Sequence, residues 1–158
     1  MHRIELAAEV AAPIDSVWSV FTDHLGWQRW SGLREVVLRR PGDPFPNGVG
    51  AARVMRASGV AVEEEITEFS PPCALATRLV GGLPVRDCTS RVELERAGEN
   101  TRLVWSVTFR ALLPLSGGLI ERLLRRELQG ILDRFVTFPF ESVAAADGAA
   151  SRDAHARG

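Results

Sequence analysis

Apolar and polar positions alternate along "HRIELAAEVAA", with Ile4, Leu6, Ala8 and Val10 set against Arg3, Glu5 and Glu9. A period of two is that of a strand with one buried face. The pattern ends at Pro13, and "PIDSVWSVFTD" then spaces Ile14, Val17, Trp18 and Phe21 as one face of a helix. Pro13 suits the first turn of that helix, where its missing N–H would be unpaired anyway. The segment "HLGWQRW" reads as a second, short helix. "LREVVLRR" is strand-like, and the Pro- and Gly-rich "PGDPFPNG" is a loop.

Strand patterns then follow in quick succession. "ARVMRASGVAVEEEI" is two strands about Ser58-Gly59, "CALATRLV" and "VRDCTSRVELE" flank the turn "GGLP", and "TRLVWSVTFRALL" follows "AGEN". In the last of these, Leu103, Trp105, Val107 and Phe109 form one apolar face. About seven strands in an antiparallel meander result. From Ser116 to about Phe138 the period becomes helical, with Ile120, Leu124, Leu128, Ile131 and Phe135 in one stripe and Arg122, Arg126 and Asp133 opposite. One long helix closes the fold.

The first of these hairpins carries charge where alternation calls for apolar residues. A two-residue turn at Ser58-Gly59 makes partner numbers sum to 117, so Ala57 faces Val60, Met55 faces Val62 and Arg53 faces Glu64; a four-residue loop gives the same register. Ala51, Arg53, Met55 and Ala57 then share a face with Val60, Val62, Glu64 and Ile66, while Arg56, Glu63 and Glu65 take the other. The first set is the more apolar and is assigned inward. An isolated buried charge costs several kcal/mol, but an Arg beside a carboxylate in a partly wet cavity satisfies most of its donors. Such a pair is a polar anchor in an apolar pocket. The competing arrangement inverts the faces or lets the charges snorkel from an edge, leaving a solvated surface pair.

Composition narrows the partners. The 158 residues fit a single domain, and nineteen basic against twenty acidic side chains leave a net charge of -1, without the basic footprint that nucleic acid requires. "MHRIELAAEVAAPIDS" has no apolar run of secretory length, and no segment approaches the roughly 18 apolar residues of a membrane span. A soluble, cytoplasmic protein without stable membrane insertion is expected. Cys73 and Cys88 lack CxxC spacing and the three histidines are scattered, so free thiols and no metal site are expected. No GxSxG motif, His–Cys pair or phosphate-cradling glycine loop occurs, and no cofactor is implied. Asp23-His24 are neighbours along the chain, which rarely point together; Glu127 flanks the apolar stripe of the long helix and Glu121 lies nearer its middle, so either could reach a cavity mouth, although a Glu on a helix flank is usually solvated. Oligomeric state is left open.

The order strand, two short helices, six further strands and a long C-terminal helix resembles the helix-grip fold of the START-like superfamily, which includes polyketide cyclase/dehydrase and lipid-transport families. "APIDSVWSVFTD" is similar to that group's opening helix, "EEITEFSPPCALATRLVGGLPVRD" to its Glu-x-Ile-x-x-Phe-x-Pro-Pro strand and hairpin, and "NTRLVWSVTF" to its last strand. The resemblance covers about residues 2–138. It implies an α+β domain over residues 1–140, with a curved seven-stranded antiparallel sheet around the long helix. The implied ligand is an apolar or amphipathic small molecule, lipid-like or polyketide-like, held between sheet and helix. The expected lining is Arg53, Met55, Val62, Glu64, Ile66, Thr77, Cys88, Trp105, Leu124 and Leu128, and Thr77 and Cys88 in place of aromatic residues widen the pocket. Binding is the first reading. The alternative is a cyclase or dehydratase with Glu64 as general base, its basicity tuned by Arg53 and apolar walls.

The remaining segment, "ESVAAADGAASRDAHARG" (141–158), is Ala-rich, polar and free of aromatic residues, and is expected to be disordered or loosely helical. Deletion from Ala144 onward should therefore leave unfolding free energy within about 0.5 kcal/mol of the intact chain. A denaturant titration of both proteins measures this, and a larger loss would mean that the tail docks.

Overall fold

The computed structural model describes residues 1–140; the tail at 141–158 lies outside the described residues. The chain runs β1 (His2–Val10), α1 (Ile14–Thr22), α2 (Trp27–Trp30), β2 (Glu35–Arg40), β3 (Ala52–Ala57), β4 (Val60–Ser70), β5 (Ala74–Gly81), β6 (Val85–Ala97), β7 (Asn100–Ala111) and α3 (Gly117–Val136). The seven strands form one antiparallel sheet in the order β1-β7-β6-β5-β4-β3-β2. This is a meander from β2 to β7, with β1 added beside the last strand.

The β3–β4 hairpin has the register that turn length dictates: Ala57 pairs with Val60, Met55 with Val62 and Arg53 with Glu64. Gly59 has φ 76°, a left-handed conformation that a glycine adopts without steric cost. Register shifts interrupt the ladder in β2–β3, in β4–β5 and between Arg86 and Thr89 of β6, and bulges of this kind bend a sheet. The β6 bulge corrects one expectation. Strict alternation puts Arg86 on the same face as Cys88, Ser90, Val92 and Leu94, but the extra residue at Asp87-Cys88, with Asp87 at φ 51°, reverses the alternation upstream. Val85 is buried instead, and Arg86 is exposed opposite Arg110.

The inner face of the sheet, α1 and the C-terminal half of α3 share one apolar core. α1 contributes Ile14, Val17, Trp18 and Phe21, and Pro13 stands just ahead of its first turn, its carbonyl accepting from Val17 N at 3.0 Å. Phe21, Trp27 and Phe135 pack edge to face or nearly so, with Trp105 against the first two, at ring separations of 5.1 to 6.3 Å. Such pairs add to the stabilisation that burial alone provides. The outer face carries solvated ion pairs, among them Arg56–Glu35 at 3.0 Å and Arg78–Glu65 at 2.7 Å, each worth little by itself.

α3 lies along β1 and is closest to the sheet there. Its Gly117 packs so near the ring of His2 that a Cβ there would collide with Nε2. Leu132 and Phe135 are fully buried, whereas Ile120, Leu124, Leu128 and Ile131 of the same stripe are only half-buried. The large apolar side chains of the helix are therefore buried most deeply toward its C-terminal end. Phe135→Ala should cost about 3–5 kcal/mol and Leu123→Ala, on the exposed side, less than about 0.5. Urea unfolding of the two variants checks this, and a similar loss for both would contradict the assigned helix face.

Candidate ligand-binding site

Arg53 is the most deeply buried charged side chain of the core, with 4% of its side chain exposed. The hairpin register sets Glu64 beside it, and Arg53 Nη2 donates to Glu64 Oε2 at 3.0 Å. From the other side α2 brings the Trp27 ring, whose centroid is 4.9 Å from the guanidinium carbon, within cation–π range. Trp27 is itself held by its indole N–H, which donates to Phe21 O at 2.7 Å. Arg53 Nε and Nη1 are buried and have no protein acceptor. They are charged donors left available on the inner face of the sheet.

His24, in the connection between α1 and α2, is 3% exposed, and neither ring nitrogen meets a partner in the protein. Burial, reinforced by the charge of Arg53, pushes its imidazole from the ordinary 6.5 down to about 2. It is neutral at any physiological pH. Asp23 serves a different purpose: its carboxylate accepts from Gly26 N at 3.1 Å and Arg29 Nη2 at 3.2 Å, on the surface. The adjacent Asp and His thus form no dyad. Trp30 Nε1 is a further buried donor without an acceptor, and its ring packs 5.0 Å from Phe135.

Six of the expected lining residues fall on three rows that the strand pairings define; Trp105 lies beside them on β7, Cys88 in the β6 bulge, and Leu124 and Leu128 on α3. Arg53, Glu64 and Leu79 pair in succession across β3, β4 and β5. Met55 pairs with Val62 alongside. Ile66, Thr77, Ser90 and Val107 cross β4 to β7, all on the inner face. Ile66, Thr77 and Trp105 are buried, whereas Met55, Val62, Glu64 and Cys88 are half-buried, as are Leu124 and Leu128 on α3. Trp105 belongs to the aromatic core, its indole N–H donating to Ser90 Oγ at 2.8 Å. Burial and then the charge of Glu64 push the Cys88 thiol up to about 11, so it stays protonated and is a poor nucleophile. Glu121 is taken by His2 at 2.8 Å and Arg125 at 3.7 Å, and the hydrogen bond from His2 holds its carboxyl below the ordinary range; Glu127 is exposed.

His24, Trp27 and Trp30 were not expected to join this site. Their only sequence signal is "HLGWQRW" itself, a short segment unusually rich in large ring side chains, which periodicity assigns to a helix without saying where it docks. Chemically the site offers Arg N–H donors, one ion pair and apolar walls. Among the described residues no three His, Cys, Asp or Glu converge to hold a metal ion.

A curved antiparallel sheet gripping a long C-terminal helix, with half-buried apolar side chains on both sides of the junction, defines a START-like ligand-binding domain. The chain belongs to the polyketide cyclase / dehydrase and lipid transport family, whose sequence model matches residues 1–137. Among solved structures it is similar to a START superfamily protein from Mycobacterium smegmatis, with TM-score 0.74 and 15% identity over 86% of this chain and 95% of that one. The protein XoxI from Bacillus cereus gives TM-score 0.71 at 15% identity, covering 85% and 93%. Ginseng major latex-like protein 151 from Panax ginseng gives 0.70 at 13%, covering 85% and 95%. None of the curated proteins matches the chain in sequence. At these identities the likeness to solved structures is one of fold.

The depressed basicity of His24 makes stability depend on pH. Between about pH 6.5 and 2 the unfolded chain binds the proton that folded His24 refuses, so stability is complete above this window and falls as pH falls into it. His24 alone should remove about 2 kcal/mol between pH 7.5 and pH 5. Urea unfolding at the two pH values should show His24→Leu losing that much less than the unsubstituted protein. Equal pH dependence in both would show that His24 titrates normally in the fold.

Proposed function

We propose that the protein binds a hydrophobic or amphipathic small molecule, lipid-like or polyketide-like, between the inner face of the sheet and α3, with Arg53 and Glu64 orienting its polar end. The observation that carries this reading is the state of Arg53: almost wholly buried, paired through one nitrogen with Glu64, and left with two buried nitrogens that no protein atom accepts. Buried donors of a charged group are costly without partners, and a polar atom of a ligand supplies one. The half-buried Met55, Leu79, Leu124 and Leu128 give the apolar part of such a ligand a surface to cover.

Family membership supports the same reading, since the family's description joins polyketide chemistry with lipid transport. The donors available at Arg53 favour a polar end that accepts hydrogen bonds, a carbonyl or carboxyl oxygen rather than an ammonium. Apolar contact supplies the affinity, at about 0.8 kcal/mol per methylene buried, and the ion pair supplies orientation.

Native mass spectrometry of protein purified from its own host should show a retained small molecule, and a series of alkyl probes with carbonyl heads should bind more tightly as the chain lengthens. Glu64→Gln, which takes from Arg53 the charged partner that orients it, should weaken such a probe by about 1–3 kcal/mol with the fold intact. Turnover of a bound substrate that Glu64→Gln abolishes at unchanged affinity would instead identify a cyclase or dehydratase with Glu64 as general base. Binding that ignores both Glu64→Gln and chain length would remove the site.

A further inference from the structure

A second surface stands apart from the interior. Large apolar side chains gather where β7 passes into α3: Leu112, Leu113, Leu119 and Leu123 each expose more than half of their surface, and Leu115 is fully exposed. Leu115 adopts φ 64°, a left-handed conformation uncommon for a residue with a Cβ, and stands clear of the protein. Such side chains normally avoid water when a fold offers them a partner, and a cluster of this kind marks an interaction surface.

Its charge is mainly positive. On α3 the exposed Leu119 and Leu123 each lie three residues before an exposed arginine, Arg122 and Arg126, so the outer face over the first turns alternates leucine with arginine. The first acid on that face is Asp133. Leu113 and Leu115 line an open depression together with Arg86 and Arg110. Of the carboxylates nearby, Asp87 pairs with Arg110 at 3.6 Å, Glu121 is engaged by His2 and Arg125, and Glu127 lies on the helix flank.

We infer that this end of the molecule, the Leu112–Ser116 loop with the outer face of the first turns of α3, docks on the surface of an anionic lipid bilayer. Leucines that enter the interface beside arginines whose heads reach lipid phosphates are the composition of a peripheral membrane contact. A second copy fits poorly, because a two-fold contact through this patch would set one mainly positive surface against another. Docking here requires no spanning segment, and none of the helices among the described residues is long and apolar enough to cross a membrane. The inference stands on the surface alone and does not need the interior to hold a ligand.

Co-sedimentation with phosphatidylcholine vesicles, with and without phosphatidylserine, tests it. Binding should be about tenfold or more stronger to the anionic vesicles and should fall steeply as salt rises to about 0.5 M. Leu115→Ser with Leu119→Ser, and separately Arg122→Glu with Arg126→Glu, should each abolish it; all four positions are exposed, and circular dichroism confirms that the variants fold. No sedimentation, equal binding to both vesicle types, or binding that survives either pair of substitutions would overturn the proposal. So would a dimer in analytical ultracentrifugation that Leu115→Ser alone dissociates, since the patch would then belong to a second copy.

Discussion

A guanidinium almost entirely removed from water has to recover its lost hydration from the protein, and much of the inner architecture around β3 follows from that requirement. Glu64 meets Arg53 on one side because two residues of turn place it there. Trp27 meets it on another because α2 is pinned by the hydrogen bond to Phe21 O. Those two contacts still leave two nitrogens without acceptors. The charge of Arg53 also reaches His24 and adds to the burial that keeps its ring neutral. One buried cation thus ties the first hairpin after β2 to the connection that precedes it.

The same economy of contact shapes α3. A helix packed fully along its length would leave no room between itself and the sheet, and one packed nowhere would not stay in place. Here Leu132 and Phe135 are fixed in the aromatic core while Ile120, Leu124, Leu128 and Ile131 stay half-buried, as do Met55 and Cys88 on the sheet. Burial of the large apolar side chains deepens toward the C-terminal end of the helix. Folds of this family are shared by proteins 13 to 15% identical, so the frame is common property and the side chains on these two surfaces carry what is particular to this chain.

Much of this was legible in the residues alone. Strict alternation in β1, β3, β4 and β7, the even turn at Ser58-Gly59 and the switch to a helical period after Ser116 are local properties, set by a side-chain period of two or 3.6 and by turn geometry, and they specify the sheet, the Arg53–Glu64 pairing and the buried stripe of α3. Their failures are local too. The bulge at Asp87-Cys88 inserts one residue and turns Arg86 outward, because alternation carries no information across an interruption that the sequence does not announce.

Only the tertiary structure decided which distant residues share a space. His24 and Trp27 come to the Arg53 side from more than twenty residues upstream, and no periodicity within "HLGWQRW" states that it will fold over β3 rather than face solvent. Nor does the stripe on α3 say how far the helix stands from the sheet, since a leucine at helical spacing reads the same whether wholly or half buried. The leucines of the Leu112–Ser116 loop belong to no repeat, and their exposure follows from where the chain turns between β7 and α3. Periodicity is determined by neighbours along the chain; burial is determined by whatever the rest of the chain brings alongside, and the free energy that orders such long-range contacts is shared over the whole domain rather than written in any one segment.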